Sequence, residues 1–389
     1  MADEHAAALT SGPADRAGPD EVEIRDAELA DVPALLEIEN AVFITDRLSR
    51  RSFRDYVSSP RAILRVALIG GVLAGYHLVL FRQGTAAARL YSLAVGPAWQ
   101  GHGLGRLLLA NAEAAAFDSD RAVLRLEVEV GNEAALALYR SAGYRLVAKL
   151  PRYYESGEDG LRLEKPLRGA IPQSSVPYYE QNTEFTCGPC CLMMALAARK
   201  PGYRMDPATE VRLWRRATSV FLGGGLGGCD PYGLAVTLAE EGLAPEIHVT
   251  ESGPLMLQTV RHPDKRKVME LVQEEFRREV AERGIPVHLG WLGISELAEK
   301  LQTGALAVLL VSGNRMFGKR VPHWVLAYHA DRRHIFIHDP WVEDKAFETA
   351  TDAASIPAPL AELDRMWRWG TSRLRAAVLI PAEGGTPTK

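Results

Sequence analysis

Cysteine is scarce in this chain. There are four in 389 residues, Cys187, Cys190, Cys191 and Cys229. Three of them fall within five positions, which excludes a disulfide scaffold as the organising principle. A reducing cytosol fits such usage, and it leaves thiols free to react. Long apolar runs are also missing: no stretch approaches the roughly 20 residues of a membrane span. Residues 1–20 are rich in Ala, Asp, Gly and Pro and lack the charged-then-apolar order of a signal peptide. They read as a disordered leader. No block of like charge occurs and the formal net charge is −4, which argues against a nucleic-acid-binding arm or a polybasic membrane patch. No repeat relates the two halves. What is present is ordinary for a globular protein, 47% hydrophobic and 24% charged, at a length that suggests two domains.

Periodicity divides the chain. The first part reads as a mixed α/β domain. Val22–Ile24 is a short strand and Asp31–Val42 has a helical apolar rhythm. Ile63–Leu68 and Val72–Phe81 are strands joined at a Gly70-Gly71 hairpin turn. Arg89–Val95 is a further strand, followed by a glycine-rich turn and an Ala/Leu helix over Leu104–Phe117. Ala122–Val130 alternates as a strand, and Asn132–Ala142 is a helix that stops at Gly143. Two more strands reach Leu167. Arg168–Pro177, polar with two prolines, reads as a linker. Helices at Cys187–Arg199, Asp264–Arg283 and Ile294–Gln302 follow, then strands at Ala305–Val311, Trp324–Tyr328, His334–His338 and Arg375–Ile380. The expected organisation is a leader at 1–20, one domain over 21–167, a linker at 168–177, a second domain over 178–382 and a tail at 383–389.

The first candidate site follows the strand that carries Leu93 and Val95. There Gln100-Gly101-His102-Gly103-Leu104-Gly105 opens the Ala/Leu helix. Glycines let successive backbone N–H groups turn toward one point, and the helix N-terminus adds partial positive charge, which suits a pyrophosphate. A glycine-rich turn alone is often only a tight corner; the order of strand, turn and helix adds weight. Gln100-x-x-Gly103-x-Gly105 resembles the acetyl-CoA pyrophosphate loop of the GNAT acyltransferases. Leu126-Glu127-Val128, Asn132-Glu133-Ala134-Ala135, Leu138-Tyr139 and Gly143-Tyr144 resemble the acetyltransferases that modify ribosomal alanine N-termini. The resemblance covers about Val22–Leu167. It implies a GNAT fold, a mixed central sheet flanked by helices. It further implies acetyl-CoA as co-substrate, held by Leu93, Val95, Gln100, Gly101, Gly103, Leu104, Gly105 and Asn132. Transfer to an amine needs a proton acceptor and an acid for the leaving thiolate. The resemblance points to Tyr139 as the acid and Glu127 as the base. The bland readings make Tyr139 a core aromatic and Glu127 a solvent-facing strand residue; the functional reading is preferred for both, and Glu129, on the same strand face, could serve in place of Glu127. Asn132 is expected to cap the helix and touch the cofactor.

The second candidate site begins at Gln181, six residues before Cys187-Gly188-Pro189-Cys190-Cys191 and an apolar helix. A cysteine at a helix N-terminus feels the positive end of the dipole, which favours the nucleophilic thiolate. Such a nucleophile needs a histidine to shuttle protons and a polar residue to orient it. His323 starts an apolar strand and Asp339 ends the next one, so adjacent antiparallel strands could bring them together. Gln181, Cys187-Gly188-Pro189, Pro322-His323-Trp324 and His338-Asp339-Pro340 resemble the peptidases that remove double-glycine leaders. That implies a papain-like cysteine peptidase fold over about Val176–Ile380. It also implies Gln181 as oxyanion donor, Cys187 as nucleophile, His323 as base and Asp339 as orienter. Thr186 stands where leader peptidases often carry an acidic residue, no transporter domain follows, and the charged helix Asp264–Arg283 looks inserted.

Two rivals remain. Cys187-Gly188-Pro189-Cys190 has the spacing of a thioredoxin dithiol, but the segment before it is polar and turn-like, and His323 and Asp339 would be unexplained. A zinc site at Cys187 and Cys190 lacks a second pair. No metal is expected. Cys190, Cys191 and Cys229 read as structural. Gly223–Gly228 could be a mobile rim that admits an extended peptide, or only a surface loop.

Both halves thus resemble enzymes that act on peptide backbones. The expectation is a bifunctional, cytoplasmic peptide-processing enzyme whose partners are peptide or protein substrates. Two alternatives stay open: the cysteine domain as an acyl or amide transferase, or the GNAT half as a non-catalytic acetyl-CoA sensor.

Overall fold

The computed structural model describes residues 22–168, 176–219, 227–319, 321–342 and 350–382. The expected leader and tail, residues 169–175 of the expected linker, and Gly223–Leu226 of the glycine-rich loop lie outside them. The chain packs as two compact units. The first gathers residues up to Leu80 with Arg89–Ala115 and Leu126–Leu163; the second gathers Phe81–Ala88, Ala116–Arg125 and Glu164 onward.

Seven strands, β1 (Val22–Asp26), β2 (Ala62–Ile69), β3 (Val72–Phe81), β4 (Ala87–Val95), β5 (Val123–Glu129), β6 (Arg145–Leu150) and β7 (Gly160–Pro166), form one sheet in the order β1-β2-β3-β4-β5-β7-β6. Helices α1 (Val32–Val42), α2 (Arg50–Val57), α3 (Leu104–Asp118) and α4 (Glu133–Ser141) accompany it. In the first unit, period-two alternation separates two apolar clusters. One gathers Leu35, Phe53, Leu64, Val66, Tyr76 and Leu78. The other sets Ala67 and Ala74 against Leu104 and Leu108 of α3. Small residues on that second face let α3 approach the sheet closely. The helix α2 carries no apolar rhythm in sequence, and Phe53 is its one buried residue.

The second sheet contains β8 (Glu246–Val249), β9 (Val287–Leu289), β10 (Leu306–Ser312), β11 (Pro322–Ala330), β12 (His334–His338), β13 (Ile356–Pro359) and β14 (Ala376–Ile380), in the order β13-β12-β11-β10-β14-β8-β9. Its central strands are apolar on both faces. Leu306, Val308 and Leu310 of β10 join one cluster, with Val378 of β14 and the helix α5 (Cys187–Arg199). Ala307, Leu309 and Val311 join the other, with α9 (Ile294–Gln302). A strand covered on both sides reads as a continuous apolar run, as β10 does. From Cys187 to Leu196, α5 is buried all round, the pattern of a helix enclosed by its domain. Each fully buried Leu or Met there contributes roughly 1.5–3 kcal/mol. Three further helices are α6 (Pro207–Ala217), α7 (Pro231–Glu240) and α8 (Pro263–Glu282). Both α6 and α7 start with an aspartate cap, Asp206 and Asp230, followed by proline, a start signal that the reading by apolar rhythm passed over.

Candidate active sites

In the first unit, β4 delivers Leu93 and Val95 to the glycine turn. The Gln100 amide donates to Val95 O at 3.1 Å, and His102 Nδ1 lies 2.8 Å from Gln100 O, which folds the turn on itself. Gly101 and Gly103 have φ of +80° and +84°. A Cβ added to either would meet nothing within 4 Å. The left-handed backbone is what demands glycine here, and the open space beside it is where a phosphate would lie. The helix α3 follows at once; Arg106 and Leu107 N–H donate to Gly103 O at 3.1 and 3.2 Å, and the N–H groups of Leu104 and Gly105 before them have no intrahelical acceptor. A Cβ on Gly105 would lie 3.7 Å from Leu138 and 3.8 Å from Val95, so the turn is seated against α4. Donor set and openness fit a pyrophosphate.

Asn132 caps α4, its side-chain oxygen accepting from Ala135 N at 3.0 Å. Tyr139 is buried on the same helix, edge-on to Tyr144 with ring centroids 5.7 Å apart. Burial, and then the charge of Glu127, push its phenol up to about 12, so it carries its proton at neutral pH. One oxygen of Glu127 accepts from Arg89 Nε at 2.7 Å and the other from Arg162 Nε at 2.6 Å. Arg89 also donates to the Tyr153 hydroxyl at 2.6 Å. Both carboxylate oxygens therefore accept from guanidinium groups. Glu129, two residues on, is partly exposed.

In the second unit, Cys187 is the first residue of α5. The glycine behind it is a packing requirement: a Cβ on Gly188 would come within 3.1 Å of Leu234 and 3.3 Å of Trp324. Pro189 sits in the first turn, where the missing N–H is not needed. His323 Nε2 is 2.6 Å from Asp339 Oδ1, with both groups buried. Burial opposes the charged imidazole, but Asp339 and Cys187, through charge and side-chain hydrogen bonds, raise it to about 10. With Nε2 turned to Asp339, Nδ1 is left for the sulfur. Burial also works against charge on Asp339, yet His323, Arg82 and the Trp341 N–H hold its carboxyl below the usual range. Arg82 Nη2 lies 2.6 Å from Asp339 Oδ2, and Trp341 N donates to Oδ1 at 2.9 Å.

The structure thus gathers Cys187, His323 and Asp339. Gln181 joins the same region by its backbone, donating to Pro340 O at 2.9 Å. Its side-chain nitrogen donates to Thr183 O at 2.6 Å, while its Oε1 is buried without a hydrogen-bond partner among the described residues. The neighbouring His338 is fixed otherwise: Nε2 donates to Val176 O and Nδ1 accepts from Ser355 N, each at 3.0 Å. The other three thiols are buried, and burial first, with nearby negative groups, raises each of them.

Residues 176–381 match the Peptidase_C39 like family, and residues 32–144 match the Acetyltransferase (GNAT) family. The N-alpha-acetyltransferase RimI of Mycobacterium tuberculosis is 36% identical over 35% of this chain and 87% of its own length. The chain belongs to both families. A putative [ribosomal protein bS18]-alanine N-acetyltransferase of Bacillus subtilis is 29% identical over 36% of this chain and 91% of its own. Among solved structures, the ribosomal-protein-S18-alanine N-acetyltransferase from Escherichia coli is 29% identical. It covers 38% of this chain and 96% of that one, with a TM-score of 0.36. The GNAT portion is an N-acetyltransferase by these relationships, and the C39-like portion carries a peptidase-related fold.

Two residues of the C39-like site escaped the sequence reading. Arg82 lies 257 positions from Asp339, and no local pattern marks it. Glu210 of α6 is buried, and its carboxylate holds the turn before Cys187. It accepts from Asn182 N at 3.0 Å, Asn182 Nδ2 at 2.6 Å, the Tyr179 hydroxyl at 3.2 Å and the Thr186 hydroxyl. Leader peptidases often carry an acidic group where Thr186 stands; here a carboxylate arrives from another helix. Glu210, Leu213 and Ala217 form the buried stripe of α6. A glutamate inside such an apolar stripe was the signal available.

Proposed function

We propose that this chain is a bifunctional peptide-processing enzyme: its GNAT portion acetylates an amine from acetyl-CoA, and its C39-like portion cleaves a peptide amide through Cys187. The observation that carries the second activity is the Cys187, His323 and Asp339 arrangement, with the imidazole raised by its two neighbours. The units are assigned as residues 21–167 for the acetyltransferase, 168–177 for the linker and 178–382 for the peptidase. Four cysteines without a cross-link support a reducing, cytoplasmic setting.

In the peptidase, the Cys187 sulfur attacks the scissile carbonyl carbon. The C–N bond breaks as a thioester forms, and the leaving amine takes the proton of His323. Water then attacks the thioester and gives a proton to His323, releasing the acid and restoring the sulfur. Asp339 orients the imidazole and balances its charge. Gln181, whose amide has a second N–H beyond the one given to Thr183, serves the oxyanion. In the acetyltransferase, acetyl-CoA supplies the acetyl group as a thioester. Leu93 and Val95 line the strand beside it, and residues Gln100 to Gly105 and Asn132 hold its phosphate and pantetheine arms. Tyr139 holds the proton that the departing thiolate needs. Glu127, tied to Arg89 and Arg162, stiffens the strand beneath Tyr139, and proton acceptance from the amine falls to Glu129 or water. Relatives named for alanine N-termini suggest that the amine is a peptide or protein N-terminus, such as cleavage would create.

Intact-mass spectrometry on a mixed peptide library with acetyl-CoA tests both activities, using the wild type, Cys187→Ala and Tyr139→Phe. Loss of cleavage only in the cysteine variant, with acetylation weakened only in the tyrosine variant, is the expected result. Acetyl-CoA binding with no transfer to any amine would make the GNAT portion a sensor, and products joined to added amines would make Cys187 a transferase nucleophile.

A further inference from the structure

On β8, Glu246 and His248 are two positions apart and therefore share a face. Ile247 and Val249 fill the cluster beneath α5. Opposite His248 in β14 is Ala377, and opposite Glu246 is Leu379, both members of the cluster beneath α9. Glu246 and His248 thus sit at the border of that second layer. The edge strand β9 pairs with β8 in parallel and sets His288 directly beside His248. The two imidazoles stack, with centroids 4.4 Å apart and planes 20° from parallel. Glu246 Oε2 lies 3.9 Å from His248 Nε2 and 3.8 Å from His288 Nε2. All three ligand atoms fall within 4.8 Å of one another.

Hydrogen bonding does not account for this grouping, because both separations are well beyond hydrogen-bond range. His248 Nε2 is buried and has no hydrogen-bond partner among the described residues, a condition that calls for a physical reason. Two imidazole nitrogens and one carboxylate oxygen converging without bonding to one another form the donor set of a borderline-soft divalent ion. Bonds of about 2.0–2.2 Å to such an ion bring ligand atoms to roughly 3.3–3.5 Å apart. The two Glu246 separations therefore need to close by about half an ångström, and the two imidazole nitrogens, within 4.8 Å of each other, by no more than about 1.4 Å. The side chain of His288 is 49% exposed, which gives an ion its entry and leaves a coordination position for water. One group opposes it: Lys300 of α9 is near enough to act on His248, but it lies 4.0 Å from Glu296, which offsets its charge.

We infer that Glu246, His248 and His288 bind one divalent transition-metal ion of the zinc class and thereby clip the edge strand β9 to β8. The ion is distinct from the cysteine chemistry and uses none of its residues.

The test uses the full chain, tag removed, in a Cys187→Ala background so that the reactive thiol does not compete for metal. Zn2+ and Co2+ are titrated by calorimetry and by Co2+ absorption, with thermal unfolding followed in parallel. One equivalent is expected to bind, with visible Co2+ bands free of thiolate charge transfer, and Zn2+ is expected to raise the unfolding temperature. His288→Ala, an exposed edge position, and Glu246→Gln should each weaken binding at least about tenfold and abolish the thermal shift, while His262→Ala should behave as the parent. Absence of binding at a roughly tenfold molar excess of Zn2+, or equal affinity in parent and His288→Ala, would overturn the assignment.

Discussion

Replacing Asp339 by Asn removes one charge and keeps the shape. At an effective dielectric of about 20, opposite charges 2.6 Å apart attract by roughly 6 kcal/mol. The rise of His323 from 6.5 to about 10 corresponds to about 5 kcal/mol, what is left of the pull of Asp339 and Cys187 after the burial cost that opposes it. Without the carboxylate, the imidazole returns to its ordinary range or below and is largely neutral at pH 7.5. A charged imidazole is the partner a nucleophilic thiolate needs, and it is lost with the carboxylate; the greater intrinsic nucleophilicity of a more basic thiolate recovers part of that loss. Asp339→Asn should therefore slow iodoacetamide alkylation of Cys187 by about tenfold at pH 6.5, with the two rates converging above pH 9. The assay needs no peptide substrate, and Cys187→Ala reports any labelling of the other three thiols, which burial raises. Circular dichroism before each run confirms that the variant is folded. Equal alkylation of wild type and variant at pH 6.5, or persistent labelling in Cys187→Ala, would refute the pairing of these three residues.

Tyr139→Phe should lower kcat for acetyl transfer by about 10²-fold while leaving the acetyl-CoA Kd within twofold of wild type, as read by stopped-flow thiol release and calorimetry. Gly103→Ala forces an L side chain to a φ of +84° at about 1–2 kcal/mol, so acetyl-CoA affinity should fall roughly 5- to 30-fold; unchanged affinity would remove the loop from the binding site. Arg82→Ala leaves one Asp339 oxygen without its cation and should cost about 3 kcal/mol in urea unfolding. For pH dependence, the raised His323 contributes stability that is full below about 6.5 and lost as pH rises through about 10. The lowered Asp339 contributes stability present above the usual carboxylate range and lost as pH falls below it. Wild-type stability against unfolding should thus fall at both ends, and His323→Ala should flatten the alkaline side.

The sequence made the chemistry legible wherever the signal was local. Gln100 to Gly105 is one continuous turn, and Cys187 stands at the start of an apolar run that no water-facing helix would carry. His323 and Asp339 were readable because each ends or begins a strand and the two strands are consecutive. Where partners come from distant segments, the pattern is silent. Nothing about Arg89 or Arg162 foretells that both will engage Glu127, yet that pairing changes what the carboxylate can do. The histidine pair lies in the same class, since Glu246-x-His248 shows only strand alternation until β9 arrives beside it. The helices α6 and α7 were missed for another reason. Their capping aspartates and prolines announced them, but α6 has a single narrow buried stripe and α7 is buried almost throughout, so neither has the rhythm of a half-exposed helix.

Arg82 belongs to the second compact unit, although it falls inside the residues matched to the acetyltransferase family. A fragment that begins at Val176 would keep the whole C39-like family match and still lose the guanidinium on Asp339. Dissection of this chain into working parts therefore cannot follow its family boundaries. The C39-like portion moved alone would carry off an aspartate missing one of its partners.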